Sequence, residues 1–262
     1  MLYLDLPSHR LHFRLDGADP GKPWLVFCNS LGTDLHMWDA QVAALSDHFR
    51  ILRYDRRGHG RSTAPPAPYS LADLGGDVIA LLDALCIART HFCGLSLGGL
   101  TGQWLGLHAA DRLDHIVLCA TAPRIGTAES WHARAAAVQA DGLAGLVPAT
   151  AERWFTPAFT AEQPGIVGGI LQRFAETSVE GYLGCCAALA GADLQQQLAG
   201  IQNPVTTVSG ADDPVCPPAD LEALARGVAR GRHVSLPGRH ILNIESAAAF
   251  NALLSAVLGA RG

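Results

Sequence analysis

The feature that most constrains this chain is a glycine-flanked serine between a short apolar run and a helix-like segment. Residues 90–93 read as a buried strand, a Gly-x-Ser-x-Gly motif occupies 94–98, and apolar residues recur at helical spacing from Leu100 to Ala110. This pattern predicts a strand, a sharp turn and a helix, with glycines leaving room for the strand and helix to approach each other. The hydroxyl of Ser96 is therefore predicted to be exposed at the N-terminus of a helix.

A serine in this position is suited to attack a carbonyl carbon. The Leu97 N–H and the helix dipole would lie beside the oxygen that becomes anionic during attack. A second donor, the Leu31 N–H, is expected from residues 29–34, which follow the apolar run Trp24–Cys28, because open α/β sheets bind ligands at the carboxyl ends of central strands. The alternative for this loop is a polar turn that caps the next helix, a role that Asp34 suits.

A serine hydroxyl is a weak nucleophile near neutral pH and needs a base together with a group that orients the base. In this topology the chain order is nucleophile, acid and histidine, on loops at the carboxyl ends of successive strands. Of the 11 histidines, two follow the acidic turn at 209–214. His233 lies within the last predicted strand, whereas His240 lies on the loop that leaves it, so His240 is the predicted base.

The acidic turn offers two adjacent carboxylates, Asp212 and Asp213. Asp213 is the preferred partner of the histidine, and Asp212 is the preferred turn-forming residue. A different loop, at 55–62, also contains charged residues and His59. Its glycines indicate a tight turn around which charges pair, so a structural role is favoured for His59 over a role as catalytic base.

Strand-like and helix-like segments alternate over most of the chain, which is typical of an α/β fold with a mostly parallel sheet. The predicted strands are residues 2–6, 10–15, 24–28, 49–54, 90–93, 115–120, 204–208 and 232–236. Strand-like runs are absent from 125 to 200, where helical stretches are predicted at 127–140, 143–150, 151–155, 162–174 and 178–190. The predicted organisation is thus a core at 1–124 and 201–262 with a helical insertion at 125–200.

Composition excludes several classes of function. With 49% hydrophobic and 16% charged residues the chain is globular, and a net charge of −5 without a basic run argues against nucleic-acid binding. The sequence shows no transmembrane stretch, signal peptide, zinc-ligand spacing or phosphate-binding glycine loop, so no membrane association, metal or cofactor is predicted. An odd number of cysteines, 7, without a Cys-x-x-Cys pair fits a reducing cytoplasm. The oligomeric state is not indicated.

Three motifs together resemble the α/β-hydrolase superfamily. They are the serine turn at 94–98, the Asp-Arg-Arg-Gly-His-Gly-Arg-Ser turn at 55–62, and Gly210-x-x-Asp213 followed by Gly238-x-His240. The resemblance implies an eight-stranded α/β-hydrolase core flanked by helices, with a helical cap inserted after the sixth strand. Within the superfamily, the loops at 29–34 and 124–127, together with Trp131, resemble the 3-oxoadipate enol-lactonase family of the β-ketoadipate pathway of aromatic catabolism.

The enol-lactonase resemblance implies hydrolysis of a small anionic enol-lactone through an acyl-enzyme on Ser96, His240 and Asp213. The substrate carboxylate would then need cationic or N–H partners, and Arg124, Trp131 and Arg134 are the candidates, Arg124 and Trp131 being preferred for direct contact. One alternative on the same triad is a cofactor-free perhydrolase or general carboxylesterase. Another is a small-molecule receptor that retains the hydrolase scaffold. Turnover of aryl acetates would indicate the perhydrolase or carboxylesterase. Ligand-dependent binding of a partner would indicate the receptor.

Overall fold

The eight strands form a single sheet in a computed structural model that describes residues 1–259. The strands are β1 (Leu2–Asp5), β2 (Arg10–Asp16), β3 (Trp24–Cys28), β4 (Arg50–Tyr54), β5 (Thr90–Leu95), β6 (Leu113–Cys119), β7 (Pro204–Gly210) and β8 (Arg230–Leu236). Their spatial order is β1-β2-β4-β3-β5-β6-β7-β8. The β1–β2 and β2–β4 pairs are antiparallel and the other pairs are parallel. The predicted α/β fold and its mostly parallel sheet are confirmed.

The helices flank this sheet and fill the segment between β6 and β7. They are α1 (Asp39–Leu45), α2 (Leu71–Ala84), α3 (Leu97–His108), α4 (Ala128–Asp141), α5 (Val147–Trp154), α6 (Pro157–Glu162), α7 (Pro164–Ala175), α8 (Val179–Ala190), α9 (Pro218–Gly227), α10 (Leu242–Glu245) and α11 (Ala247–Leu258). In the described chain, none is long and apolar enough to cross a bilayer.

Strands β3 and β5 lie at the centre of the sheet and carry the two loops that matter most for the site. Leu25 to Cys28 of β3 are 0% exposed, because helices cover both faces of a parallel sheet. The loop after β3 leads to α1, and the turn after β5 leads directly into α3. Both loops therefore emerge side by side at the carboxyl edge of the sheet.

Residues 125–200 contain five helices and no strand within the part of the chain that the structure describes. Helices α4 and α8 match the predictions for 127–140 and 178–190 and pack against each other. The predicted break between 150 and 151 is wrong, since α5 runs through it. The helix predicted at 162–174 is α7, which begins at Pro164, and a further helix, α6, precedes it.

The cap helices begin where the local chemistry favours a helix start. The Thr156 side chain accepts a hydrogen bond from the Phe159 N–H, and Pro157 occupies the first position of α6. A second proline, Pro164, begins α7. Near the C-terminus, α10 and α11 are separated at Ser246, whose hydroxyl donates to the Pro237 carbonyl.

Candidate active site

The Ser96 turn has the strained backbone that the sequence predicts. Ser96 has φ +60° and ψ −116°, a conformation that a non-glycine residue rarely adopts. A Cβ on Gly94 would lie 2.2 Å from the Gly98 carbonyl oxygen, and one on Gly98 would lie 2.2 Å from the Cys28 carbonyl oxygen. Both contacts are far shorter than van der Waals distance, so only glycine allows β3, β5 and α3 to approach this closely.

Neighbouring strands hold the strained turn in place. The Ser96 N–H donates to the Cys119 carbonyl at 2.8 Å, and the Thr121 hydroxyl donates to the Ser96 carbonyl at 2.8 Å. The surrounding sheet thereby offsets a conformational cost of about 1–3 kcal/mol. Ser96 lines a cavity at the carboxyl edge of the sheet.

His240 and Asp213 form a buried pair beside the same cavity. His240 Nδ1 lies 2.9 Å from Asp213 Oδ2, and the two residues are 2% and 3% exposed. Asp213 Oδ1 accepts hydrogen bonds from the Val215 and Cys216 N–H groups at 2.8 and 3.2 Å. Since an ionised carboxylate only accepts, it selects the tautomer with the proton on Nδ1. Nε2 of His240, which lines the cavity with Ser96, is then free to accept a proton.

The loops that carry the acid and the histidine are hydrogen-bonded to each other. The Asp212 N–H donates to the Gly238 carbonyl at 3.0 Å, and the Asp212 side chain is exposed, in keeping with a turn-forming role. A Cβ on Gly210 would lie 2.2 Å from the Arg239 carbonyl oxygen. Glycine at the end of β7 therefore lets the histidine loop pass directly over the acid loop.

His233 lies in β8, as predicted, and does not line the cavity. Its Nε2 is 3.0 Å from the Ser209 hydroxyl. Burial lowers the pKa of His233. The structure thus brings His240, and not His233, to Ser96.

Two backbone N–H groups near Ser96 have no protein partner among residues 1–259. One belongs to Leu31, which lines the cavity, and the other to Leu97, the first residue of α3. The first N–H groups of a helix lack intrahelical partners, and they point toward negative charge. This placement suits the two predicted donors to an oxyanion on Ser96.

The loop at 29–34 also caps the helical turn that follows it, which is the alternative role that the sequence offers for this loop. The Asp34 side chain accepts from the His36 N–H at 3.0 Å. Asp34 also forms an ion pair with Arg173 of α7 at 3.3 Å. Burial raises the pKa of Asp34 despite that partner.

His59 is hydrogen-bonded to the same loop, residues 29–34. Its Nε2 accepts the Gly32 N–H at 3.0 Å, and its Nδ1 lies 3.2 Å from the Arg57 carbonyl. Burial, reinforced by the nearby Arg56 charge, lowers the pKa of His59 to about 3. The ring is therefore neutral at physiological pH, and its contacts agree with the structural role that the sequence favours.

A cavity of about 350 Å³ lies between the sheet edge and the cap. Ser96, Leu31 and His240 line it from the core, and Trp131, Arg134, Arg153, Trp154 and Tyr182 line it from the cap. This volume suits a small molecule. The cap side supplies aromatic surface and positive charge, whereas the core side supplies the serine and the histidine.

Two cap arginines face this cavity without a carboxylate partner among the described residues. Arg134 Nε donates to the Tyr182 hydroxyl at 2.7 Å. Burial raises the pKa of Tyr182 to about 12, so that hydroxyl is neutral. Burial and the neighbouring Arg134 charge lower the pKa of Arg153, yet a guanidinium stays protonated. Two positive charges held close together favour an anion between them.

The structure places the three predicted substrate-binding residues differently. Arg134 lines the cavity. Trp131 also lines it, but its indole N–H donates to the Ile125 carbonyl at 2.6 Å and leaves the ring as the contact surface. Arg124 is exposed outside the cavity lining, with Asp193 at 3.8 Å. Arg153, which the sequence analysis did not predict, lines the cavity on its cap side.

Comparison with known proteins shows which family this chain belongs to. The family model for the alpha/beta hydrolase fold matches residues 23–162. The chain belongs to the α/β-hydrolase family. This hydrolase is 45% identical to 3-oxoadipate enol-lactonase 2 of Acinetobacter baylyi over 90% of its length and 89% of that protein. It is 41% identical to 3-oxoadipate enol-lactonase 1 of the same organism, over 94% and 91% of the two chains.

A solved structure gives the same likeness in three dimensions. The crystal structure of the enol-lactonase from Burkholderia xenovorans LB400 matches this hydrolase with a TM-score of 0.96 and 46% identity. The match covers 98% of this chain and all of that one, 100%. The likeness therefore includes the cap as well as the core.

Proposed function

We propose that this hydrolase opens 3-oxoadipate enol-lactone to 3-oxoadipate through an acyl-enzyme on Ser96. The observation that carries the proposal is the pairing, in one cavity, of Ser96 and His240 on the core side with Arg134 and Arg153 on the cap side. The enol-lactone joins an electrophilic ring carbonyl to a carboxylate arm. The core side of the cavity suits the ring carbonyl, and the cap side suits the carboxylate arm. The enol-lactonase relatives match this chain over both the core and the cap.

The reaction follows from the geometry of the core side. Ser96 Oγ attacks the ring carbonyl while Nε2 of His240 takes its proton, and Asp213 stabilises the resulting imidazolium. The N–H groups of Leu31 and Leu97 donate to the oxyanion. When the tetrahedral intermediate collapses, the ring C–O bond breaks and the leaving enolate oxygen takes the proton from the His240 imidazolium, which leaves His240 neutral again. The resulting enol tautomerises to the ketone. The acyl group and the leaving group remain in one molecule attached to Ser96.

Water completes the cycle. His240 takes a proton from a water molecule that attacks the acyl carbonyl, and then returns a proton to Ser96 Oγ as the ester bond breaks. The product carries two carboxylates where the lactone carried one. The product, with its added negative charge, must then leave a cavity lined by two arginines and exchange with solvent.

The substrate assignment is tested by removing cap charges one at a time. Arg134→Met and Arg153→Met are expected to raise KM for the anionic lactone about tenfold each, the effect of losing one charge-assisted hydrogen bond. KM for the neutral ester 4-nitrophenyl acetate should change less than about twofold, because that ester has no carboxylate for the arginines to bind. Steady-state kinetics on both substrates measures the difference.

Arg124→Met is the matched comparison, since it removes the same charge from a position outside the cavity. Its KM for the lactone is expected to equal that of the wild type. A rise in KM for Arg124→Met as large as for Arg134→Met would place the carboxylate outside the cavity. An equal rise for both substrates in the Arg134 and Arg153 variants would indicate cavity disruption and contradict charge recognition.

A further inference from the structure

Arg56 is a fully buried cation with unusual partners. It is 1% exposed, and in the described chain no carboxylate lies within ion-pair distance of it. Its Nη2 donates to the Asn29 carbonyl at 2.7 Å and its Nη1 to the Ser30 carbonyl at 3.3 Å, with Cys28 Sγ 3.6 Å from Nη2. Burial of a charge among neutral groups is costly and demands good geometry.

The neighbouring arginines of the same segment are held in another way. Arg57 donates two hydrogen bonds to Asp77, at 2.8 and 2.7 Å, and Arg53 lies 2.9 Å from Asp16. Those guanidinium groups have carboxylate partners that balance their charge. Arg56 alone of the three directs its positive charge at the backbone of the loop beside Ser96.

The carbonyl of Ser30 and the N–H of Leu31 belong to the same peptide group. Arg56 donates to the oxygen of that group, and so do the Thr33 hydroxyl at 2.9 Å and the Thr33 N–H at 3.4 Å. Hydrogen bonds to a peptide oxygen polarise the group and strengthen its N–H as a donor. The N–H at the other end of the group is the free one that lines the cavity beside Ser96.

We propose that Arg56 is a positioning residue that aims and polarises the Leu31 N–H toward the oxyanion on Ser96. The proposal rests on the roles of Ser96 and Leu31 in the proposed function. Its two bonds fix the peptide groups on either side of Ser30, and its charge lies behind the oxyanion in a region from which water is excluded. A positive charge there lowers the energy of the tetrahedral anion more than that of the neutral ester.

The test compares Arg56→Met with Arg57→Met, two adjacent buried arginines changed in the same way. Arg56→Met is expected to lower kcat about ten- to a hundredfold with KM within about threefold, since the lost interaction acts on the transition state. Arg57→Met should keep kcat within about threefold of the wild type, because Arg57 does not touch the loop. Urea unfolding of each variant shows whether a loss of activity reflects a loss of fold.

A second readout separates positioning from general support of the structure. Phenylboronic acid forms a tetrahedral anionic adduct with a nucleophilic serine, so its inhibition constant should rise in Arg56→Met by about the factor by which kcat/KM falls. An unchanged inhibition constant, or an equal loss of kcat in Arg57→Met, would overturn the proposal. If Arg56→Met does not fold, Arg56→Lys decides. A lysine keeps the charge but not the fork that holds both carbonyls, so a several-fold lower kcat is expected, and wild-type kcat would overturn the proposal.

The assay uses 4-nitrophenyl acetate as well as the lactone, with Ser96→Ala as the reference for background hydrolysis. Any ester that Ser96 attacks passes through the same oxyanion. If the lactone proves not to be a substrate, the role of Arg56 can therefore still be tested with the aryl ester. Aryl ester hydrolysis that does not depend on Ser96 would instead remove the proposed function on which the role of Arg56 rests.

Discussion

His59 is a single residue whose protonation state supports the site. In the folded protein its neutral ring accepts the Gly32 N–H, and burial lowers the pKa of His59 to about 3. In the unfolded chain its pKa returns to about 6.5. Between these two values the unfolded chain binds a proton that the folded protein does not bind. The contribution of His59 is fully present above the unfolded pKa and is lost as the pH falls.

This linkage predicts that His59→Gln makes stability less dependent on pH. A glutamine keeps an acceptor for the Gly32 N–H but does not titrate. The free energy of unfolding of the wild type should fall more than that of the variant, by about 1.4 kcal/mol for each pH unit below about 6.5. Urea titrations at several pH values measure both slopes. Equal slopes would mean that His59 takes up a proton in the folded state as well.

At the same scale, chain order was enough to single out triad candidates, whereas no such rule applies to the cap. Ser96, Asp213 and His240 follow the order that the topology imposes, and the two latter residues lie 2.9 Å apart. Arg153 lies on α5, where no motif marks it, and whether it or Arg124 faces the cavity depends on how the helices pack. Which cap side chains face the cavity is decided by tertiary packing, and the spacing of residues along the sequence does not specify it.

At the scale of elements, the backbones of the cap and core come close together where helix α8 crosses the turn at 55–62. A Cβ on Gly181 of α8 would lie 2.3 Å from the Cα of Gly58, and Gly58 has φ +72°. No side chain separates the two backbones. The turn at 55–62, whose His59 contacts the loop at 29–34, is thereby also the surface on which α8 packs.

This contact predicts opposite effects for two glycine substitutions in the cap helices. Gly181→Ala is expected to lower the free energy of unfolding by about 2 kcal/mol or more, because its methyl group would overlap the Gly58 backbone. Gly168→Ala in α7 has open space around the new methyl group and should raise stability by about 0.5–1 kcal/mol through helix propensity. Urea unfolding of both variants provides the measurement. Stabilisation by Gly181→Ala would contradict the close approach.

The elements themselves differ in how far their sequence predicts them. All eight strands were predictable, because the central parallel strands are continuous apolar runs between turns and the antiparallel β1 and β2 alternate apolar and polar residues. The cap helices were less so, since an apolar face, such as Val167, Ile170 and Phe174 of α7, predicts a helix without fixing where it begins or ends. The breaks follow local caps such as Thr156 and Pro157 instead, and α5 continues through the break predicted after Thr150.

At the scale of the whole molecule, the cap is hydrogen-bonded to the loop that carries His240, although the two are far apart in sequence. The Ile241 N–H donates to the Trp154 carbonyl at 3.2 Å. Glu245 accepts the Thr156 N–H at 3.1 Å and the Arg239 N–H at 2.9 Å. The helix that carries Arg153 and the loop that carries His240 are therefore held in a fixed relation, which suits a substrate that must contact both.

The most direct test of this account is hydrolysis of 3-oxoadipate enol-lactone by the wild type and by Ser96→Ala, with 4-nitrophenyl acetate in parallel. The fall in the ultraviolet absorbance of the lactone follows its loss. We expect kcat/KM for the lactone to exceed that for the acetate by about a hundredfold or more, and Ser96→Ala to lower lactone hydrolysis by about a thousandfold or more. Lactone hydrolysis that survives in Ser96→Ala, or brisk acetate turnover without lactone turnover, would contradict it.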